Sequence, residues 1–126
     1  MQDTNTFKKV LIIDDDSRNI FALKAVLKSK GFHCVTALSA MEGLKHLSEQ
    51  SDIGIVLLDM MMPEMDGYET IAEIREGMRR DVPVVSVTAQ AMVGDKEKCI
   101  EAGANAYISK PIDVDQLISL LNQFLK

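Results

Sequence analysis

The chain has 126 residues, the length of one domain built around one hydrophobic core. At 47% hydrophobic and 26% charged residues it is too apolar for a disordered chain and too charged for a membrane protein. Fourteen Lys and Arg against nineteen Asp and Glu leave a net charge of −5. That charge repels phosphate backbones and anionic lipid, so neither nucleic acid nor membrane is expected among the partners.

Residues 1–7 read as a polar tail that leaves no room for a signal peptide, and the domain is expected over 8–126. No apolar run approaches the ~20 residues that span a bilayer, which makes the cytoplasm the expected location. Lys8 to Asp14 (KKVLIID) is a short apolar strand ending in acids. Ile20, Leu23 and Leu27 then mark a helix over Ser17–Lys30, with Asp16 or Ser17 as its N-cap and Gly31 closing it. A strand from Phe32 to Ala37 precedes a helix opened by a Ser39–Glu42 capping box and running to about Glu49. Ile53 to Asp59 is the third strand. Asp66 and Glu69 open a third helix, with Tyr68, Ile71, Ile74 and Met78 on one face. Val82 to Thr88 is the fourth strand, and a helix from about Met92 to Ala102 stops at Gly103. Asn105 to Ser109 is the fifth strand, and Asp113 caps a last helix bearing Leu117, Leu120, Leu121 and Phe124.

Five strand–helix units in strict alternation imply an α/β fold with a parallel sheet covered on both faces. Strands 1, 3 and 4 are almost continuously apolar, whereas strands 2 and 5 interleave polar residues and belong at the edges. The doubly wound order 2-1-3-4-5 satisfies this pattern, and its ligand crevice opens beyond the C-terminal ends of strands 1 and 3. Asp14 and Asp15 end strand 1 and Asp59 ends strand 3, so three carboxylates meet there. Such a cluster calls for a counter-charge, and an all-oxygen donor set favours Mg²⁺ (or Mn²⁺) over zinc. Lys110 and Thr88, at the ends of strands 5 and 4, can offer an ammonium and a hydroxyl to an incoming anion. A carboxylate attacking a phosphoryl group needs both kinds of help against anion–anion repulsion.

The strings LIIDDD (Leu11–Asp16), LLDMMMPEMDG (Leu57–Gly67), SVTAQ (Ser86–Gln90) and YISKPID (Tyr107–Asp113) resemble, in order and spacing, the receiver domain of bacterial two-component response regulators. The resemblance runs from about Lys8 to Phe124. It implies a flavodoxin-like fold with Asp59 as phosphoacceptor, Asp15 and the Met61 carbonyl as further metal ligands, and Asp14 acting through a water. It implies that Thr88 and Lys110 hold phosphoryl oxygens, that the small Ala89 leaves the site open, that Tyr107 is the switch aromatic, and that Lys110–Pro111 is a cis peptide. The donor would be a sensor histidine kinase or a histidine phosphotransfer protein, chosen through surface residues around the first helix such as Arg18, Asn19 and Ala22. The downstream protein partner is unspecified, and a receiver belonging to a hybrid histidine kinase is the alternative setting. Met61 and Gln90 occupy positions that set phosphoryl lifetime in this family. The last helix lacks the basic residues that support the active dimers of winged-helix regulators.

Plainer roles compete with these. Tyr107 can be an edge-strand aromatic packed on the sheet, and Thr88 an ordinary β-branched strand residue. His33 and His46 read as surface histidines and Met60, Met61, Met62 and Met65 as core and loop packing. Cys34 and Cys99 read as reduced thiols. An aspartate-nucleophile phosphatase would use similar groups, but its DxDx[TV] signature fails at Arg18. A nucleotide-binding loop fails because Asp14-Asp15-Asp16 occupies its place.

Overall fold

The computed structural model describes residues 8–77, 79–89 and 94–125. Five strands and five helices alternate: β1 Lys9–Ile13, α1 Ser17–Ser29, β2 His33–Ala37, α2 Ala40–Glu49, β3 Ile53–Asp59, α3 Gly67–Glu76, β4 Val84–Thr88, α4 Asp95–Ala102, β5 Ala106–Ser109 and α5 Val114–Phe124. The strands form one parallel sheet in the order β2-β1-β3-β4-β5. Ile13 lies opposite Ala37 on one side and Leu58 on the other, Asp59 opposite Val87, and Thr88 opposite Ser109.

Alternation along the strands feeds two cores. Leu11, Ile13, Val56, Leu58 and Val84 point to one face, where Leu47 of α2, Ile71 and Ile74 of α3 and Cys99 of α4 cover them. Val10, Ile12, Ile55, Leu57, Val85 and Ile108 point to the other, against Ile20, Leu23 and Leu27 of α1 and Leu117 and Leu121 of α5. Each such side chain removed from water contributes roughly 1.5–3 kcal/mol before chain entropy is set against it. The central strands are buried on both faces, whereas β2 and β5 carry partly exposed residues, in keeping with the apolar and interleaved textures of their sequences.

Several helix ends follow from local chemistry. The Asp16 side chain accepts from the N–H groups of Arg18 and Asn19, and so caps α1. Asp66 and Glu69 form a complete capping box at α3. At α2 the expected box is altered: Ser39 accepts from Glu42 N–H, but the Glu42 carboxylate reaches one residue further back, to the N–H of Leu38. β4 starts at Val84 and not Val82, because the Val82 N–H bonds to the Arg79 carbonyl and its own carbonyl is taken by Arg75. Met78, Gln90, Met92 and the tail of residues 1–7 lie outside the described residues. Among the described residues no helix is long and apolar enough to cross a membrane.

Candidate functional site

At the C-terminal edge of the sheet the main-chain ladder continues one residue past three strands. Asp14 N–H donates to Ala37 carbonyl (3.0 Å), Met60 N–H to Val87 carbonyl (2.9 Å) and Lys110 N–H to Thr88 carbonyl (2.8 Å). These bonds hold the acidic ends of β1 and β3 at the same edge of the sheet as Thr88 and Lys110.

The Asp14, Asp15 and Asp59 carboxylates converge, one oxygen from each lying within 4.8 Å of the others. Asp14 and Asp59 are buried, at 4% and 6% exposure, while Asp15 faces solvent. Asp14 is held on both oxygens: Oδ1 accepts Asp16 N–H at 2.9 Å and Oδ2 accepts Asn19 Nδ2–H at 2.6 Å. Asp59 Oδ1 accepts the N–H of Met61 at 3.1 Å. Lys110 Nζ stands between the two buried acids, 3.8 Å from Asp14 Oδ2 and 3.9 Å from Asp59 Oδ1. Burial pushes the Asp59 carboxyl above the ordinary aspartate range and Asp14 adds to the rise, while the Met61 N–H and Lys110 oppose it. Among the described residues Lys110 is the one cation within 4 Å of this cluster of two buried carboxylates and an exposed third, which leaves the cluster with excess negative charge. Three hard oxygen donors on a rigid edge, short of positive charge, fit a divalent cation such as Mg²⁺.

Thr88 is buried at the end of β4 and Ala89, next in the chain, is exposed. The Lys110–Pro111 peptide is cis. Tyr107 lies opposite Ser86 in the β4–β5 register, and its half-buried ring packs against the core that α4 helps to cover. Burial, and then Asp95 and Cys99, raise its phenol pKa. Of the loop methionines, Met60 and Met62 are buried and Met65 is half-buried, while the Met61 side chain is 54% exposed. Gly67 is demanded by packing, since a Cβ there would collide with Met60 Sδ and lie 2.7 Å from Met60 Cα. Beside Asp15 a cleft of about 460 Å³ opens between Leu38 and Met41 on one side and Met62 to Met65 on the other.

His33 is exposed on the β2 edge, and His46 pairs with Glu42 at 3.7 Å on α2. Neither is on the strand ends that form the crevice. Asn19 is the site residue that sequence reasoning missed: its place on α1 reads as partner-facing surface, yet its amide turns inward to Asp14. Its role depends on the rotation of α1 about the Asp16 cap, and no short-range pattern reports that rotation. A polar side chain one turn into a helix that follows an acidic strand end is the one available signal.

The description "response regulator receiver domain" belongs to the family model that matches residues 10–122. The sensor histidine kinase RcsC of Salmonella typhi is 39% identical over 115 residues, 91% of this chain and 12% of that protein. The chain thus spans about an eighth of that relative's length. The polar-differentiation response regulator DivK of Brucella ovis is 32% identical over 119 residues, 94% of this chain and 96% of DivK. A response regulator receiver protein from Pseudomonas putida superposes with a TM-score of 0.87 at 30% identity, over 92% of this chain and 96% of that one. The receiver domain of the sensor histidine kinase PA1611 from Pseudomonas aeruginosa, with a magnesium ion coordinated in its active-site cleft, gives a TM-score of 0.83 at 29% identity, over 94% and 97% of the two chains. With its sheet order, its acidic strand ends and a family match over nearly its whole length, this chain belongs to the response regulator receiver family of two-component signalling.

Proposed function

We propose that the chain accepts a phosphoryl group on Asp59 from the phosphohistidine of a sensor histidine kinase or histidine phosphotransfer protein, in the cytoplasm. The observation that carries this reading is the placement of Lys110 Nζ between Asp59 and Asp14 in a crevice that is otherwise acidic. An Asp59 carboxylate oxygen forms a bond to phosphorus as the phosphorus–nitrogen bond of the donor breaks, and the imidazole leaves with the electron pair. The Lys110 ammonium and the Thr88 hydroxyl hold phosphoryl oxygens as charge develops on them, and the small exposed Ala89 leaves the donor's path open. Asp15, Asp59 and the carbonyl of Met61 would hold Mg²⁺ or Mn²⁺, with Asp14 acting through a water. The bound ion supplies the positive charge that offsets repulsion between carboxylate and phosphate. Asn19 and the Asp16 N–H keep Asp14 in one orientation. Thr88 and Tyr107 then rearrange, and the surface of α4, β5 and α5 changes its protein partner by shifting a pre-existing equilibrium.

The test is incubation with Mg²⁺ and a small phosphodonor, followed by intact-mass analysis. We expect one phosphoryl adduct in the wild type and none in Asp59→Asn. An adduct that persists in Asp59→Asn refutes the assignment, and multiple turnover that depends on Asp14 and not on Asp59 establishes a phosphatase instead. A second setting, a receiver within a hybrid kinase, is favoured by the match to one segment of RcsC, and it leaves the chemistry at Asp59 unchanged.

A further inference from the structure

Arg75, near the end of α3, employs all five of its guanidinium hydrogens. Nε donates to the Gly103 carbonyl at 3.0 Å and Nη2 to the same oxygen at 2.7 Å. Nη1 donates to the carbonyls of Arg80 and Val82, each at 2.7 Å, and Nη2 also to Asn105 Oδ1 at 2.8 Å. Asn105 Oδ1 in turn accepts the N–H of Val84, the first residue of β4, at 2.9 Å. One side chain thereby joins α3, the run into β4, the end of α4 and the entry to β5, all at the sheet edge remote from the carboxylates.

Among the described residues the two ends of α4 are capped differently. At the C-terminal end Gly103 has φ +120°, its N–H bonds to Ile100 carbonyl and Ala104 N–H to Cys99 carbonyl, both at 3.0 Å. A Cβ on residue 103 would lie 3.0 Å from Ile71 Cγ2 and 3.2 Å from Arg75 Cγ, so the turn is pressed against α3. The guanidinium also sits at the negative end of the helix dipole, where a cation is favoured. At the other end the N-cap is Gly94, with φ +91°, which has no side chain to accept first-turn N–H groups. Between them Tyr68 Oη lies 3.9 Å from Cys99 Sγ and Lys98 Nζ 5.6 Å from the Tyr68 ring centroid, both softer contacts.

We infer that Arg75 is the fulcrum of α4: it fixes the C-terminal end, so that when the partner surface switches, displacement grows from Gly103 toward Gly94. This rests on the phosphoacceptor reading above, because phosphorylation supplies the driving change. Eight residues at 1.5 Å make an arm of about 12 Å, so a tilt of ~10° moves the far end by roughly 2 Å while leaving the pinned end in place. Arg75 touches no reacting atom and is a positioning residue.

The test uses the full ¹⁵N-labelled chain, with amide shifts and hydrogen exchange recorded with and without Mg²⁺ and a small phosphodonor, and adduct formation followed by mass. In the wild type we expect shift changes on phosphorylation to rise steadily from Ala104 to Asp95, with exchange at Gly103 and Ala104 unchanged. In Arg75→Gln, before any phosphodonor is added, exchange at Gly103 and Ala104 should rise by about tenfold or more, and phosphorylation should then perturb the whole of α4. Arg75→Lys, with the charge but not the fork, should fall between. A phosphorylated wild type whose α4 responds uniformly, or an Arg75→Gln variant with unchanged exchange at Gly103 and Ala104, overturns the fulcrum while leaving the phosphoacceptor reading intact. A wild type that gains no phosphoryl mass overturns both.

Discussion

Replacing Asp59 by Asn should stabilise the metal-free protein at neutral pH. Two charge terms nearly cancel at this position. Lys110 at 3.9 Å attracts the carboxylate by about 4 kcal/mol at an effective dielectric near 20. Asp14, with an oxygen within 4.8 Å, repels it by about 3–4 kcal/mol on the same scale. Asp15 adds a further, solvent-screened repulsion. Burial then decides the sign, because a carboxylate that is 6% exposed has lost most of its hydration and regains one N–H, from Met61. Asparagine keeps that acceptor and removes the charge, so a gain of about 1–2 kcal/mol is expected, or a Tm rise of roughly 3–8 °C for a chain of this size. The pH dependence follows from the raised Asp59 pKa. The unfolded carboxylate ionises near the ordinary value of about 3.9 and the folded one later, so the stability associated with Asp59 is complete below the lower value and is lost as pH rises through the higher. The penalty on the wild type therefore grows as pH rises above the unfolded value, and the advantage of the variant should vanish below about pH 4. Urea and thermal unfolding in chelator across that range, repeated in millimolar Mg²⁺ where binding to the folded wild type should close the gap, provide the assay. An Asp59→Asn variant less stable than wild type at neutral pH without metal, or an advantage that persists at low pH, would refute the reasoning.

Three further outcomes are expected. Lys110→Ala should slow phosphoryl uptake by about 10²–10³-fold in timed intact-mass measurements, as removal of one donor to a developing anion does, and a rate within about threefold of wild type contradicts that role. Gly67→Ala should cost about 1–3 kcal/mol in urea unfolding, because the added Cβ meets the Met60 backbone and not only its flexible sulfur; an unchanged midpoint would show that the β3–α3 turn yields without cost. Asn19→Ala should lose about 1–2 kcal/mol in chelator by leaving Asp14 Oδ2 short of its 2.6 Å donor, and equal stability would remove Asn19 from the site.

What the sequence made legible was local or strongly patterned. Continuous apolar runs such as Ile55–Leu58 identify strands covered on both faces, and that texture sets β2 and β5 at the edges. Asp16, Asp66 and Asp113 signal helix starts because a cap is made within three residues of itself. The crevice was legible for the same reason: once the order of strands is known, the residue ending each one has an address. Arg75 and Asn105 were not, because their partners come from segments as far as 30 residues apart, and nothing in the neighbourhood of IREG announces five bonds. The late start of β4 escaped for a related reason, since Val82 has the residue type of a strand but its carbonyl belongs to Arg75.

The three main-chain bonds that extend the ladder past β1, β3 and β5 have a consequence for how this protein can diverge. None of them involves a side chain, so exchanging Asp14, Lys110 or Thr88 removes a chemical group without dismantling the frame that presented it. A lineage carrying this architecture can therefore lose the chemistry proposed for this crevice in one substitution and keep a folded body on which selection can act again.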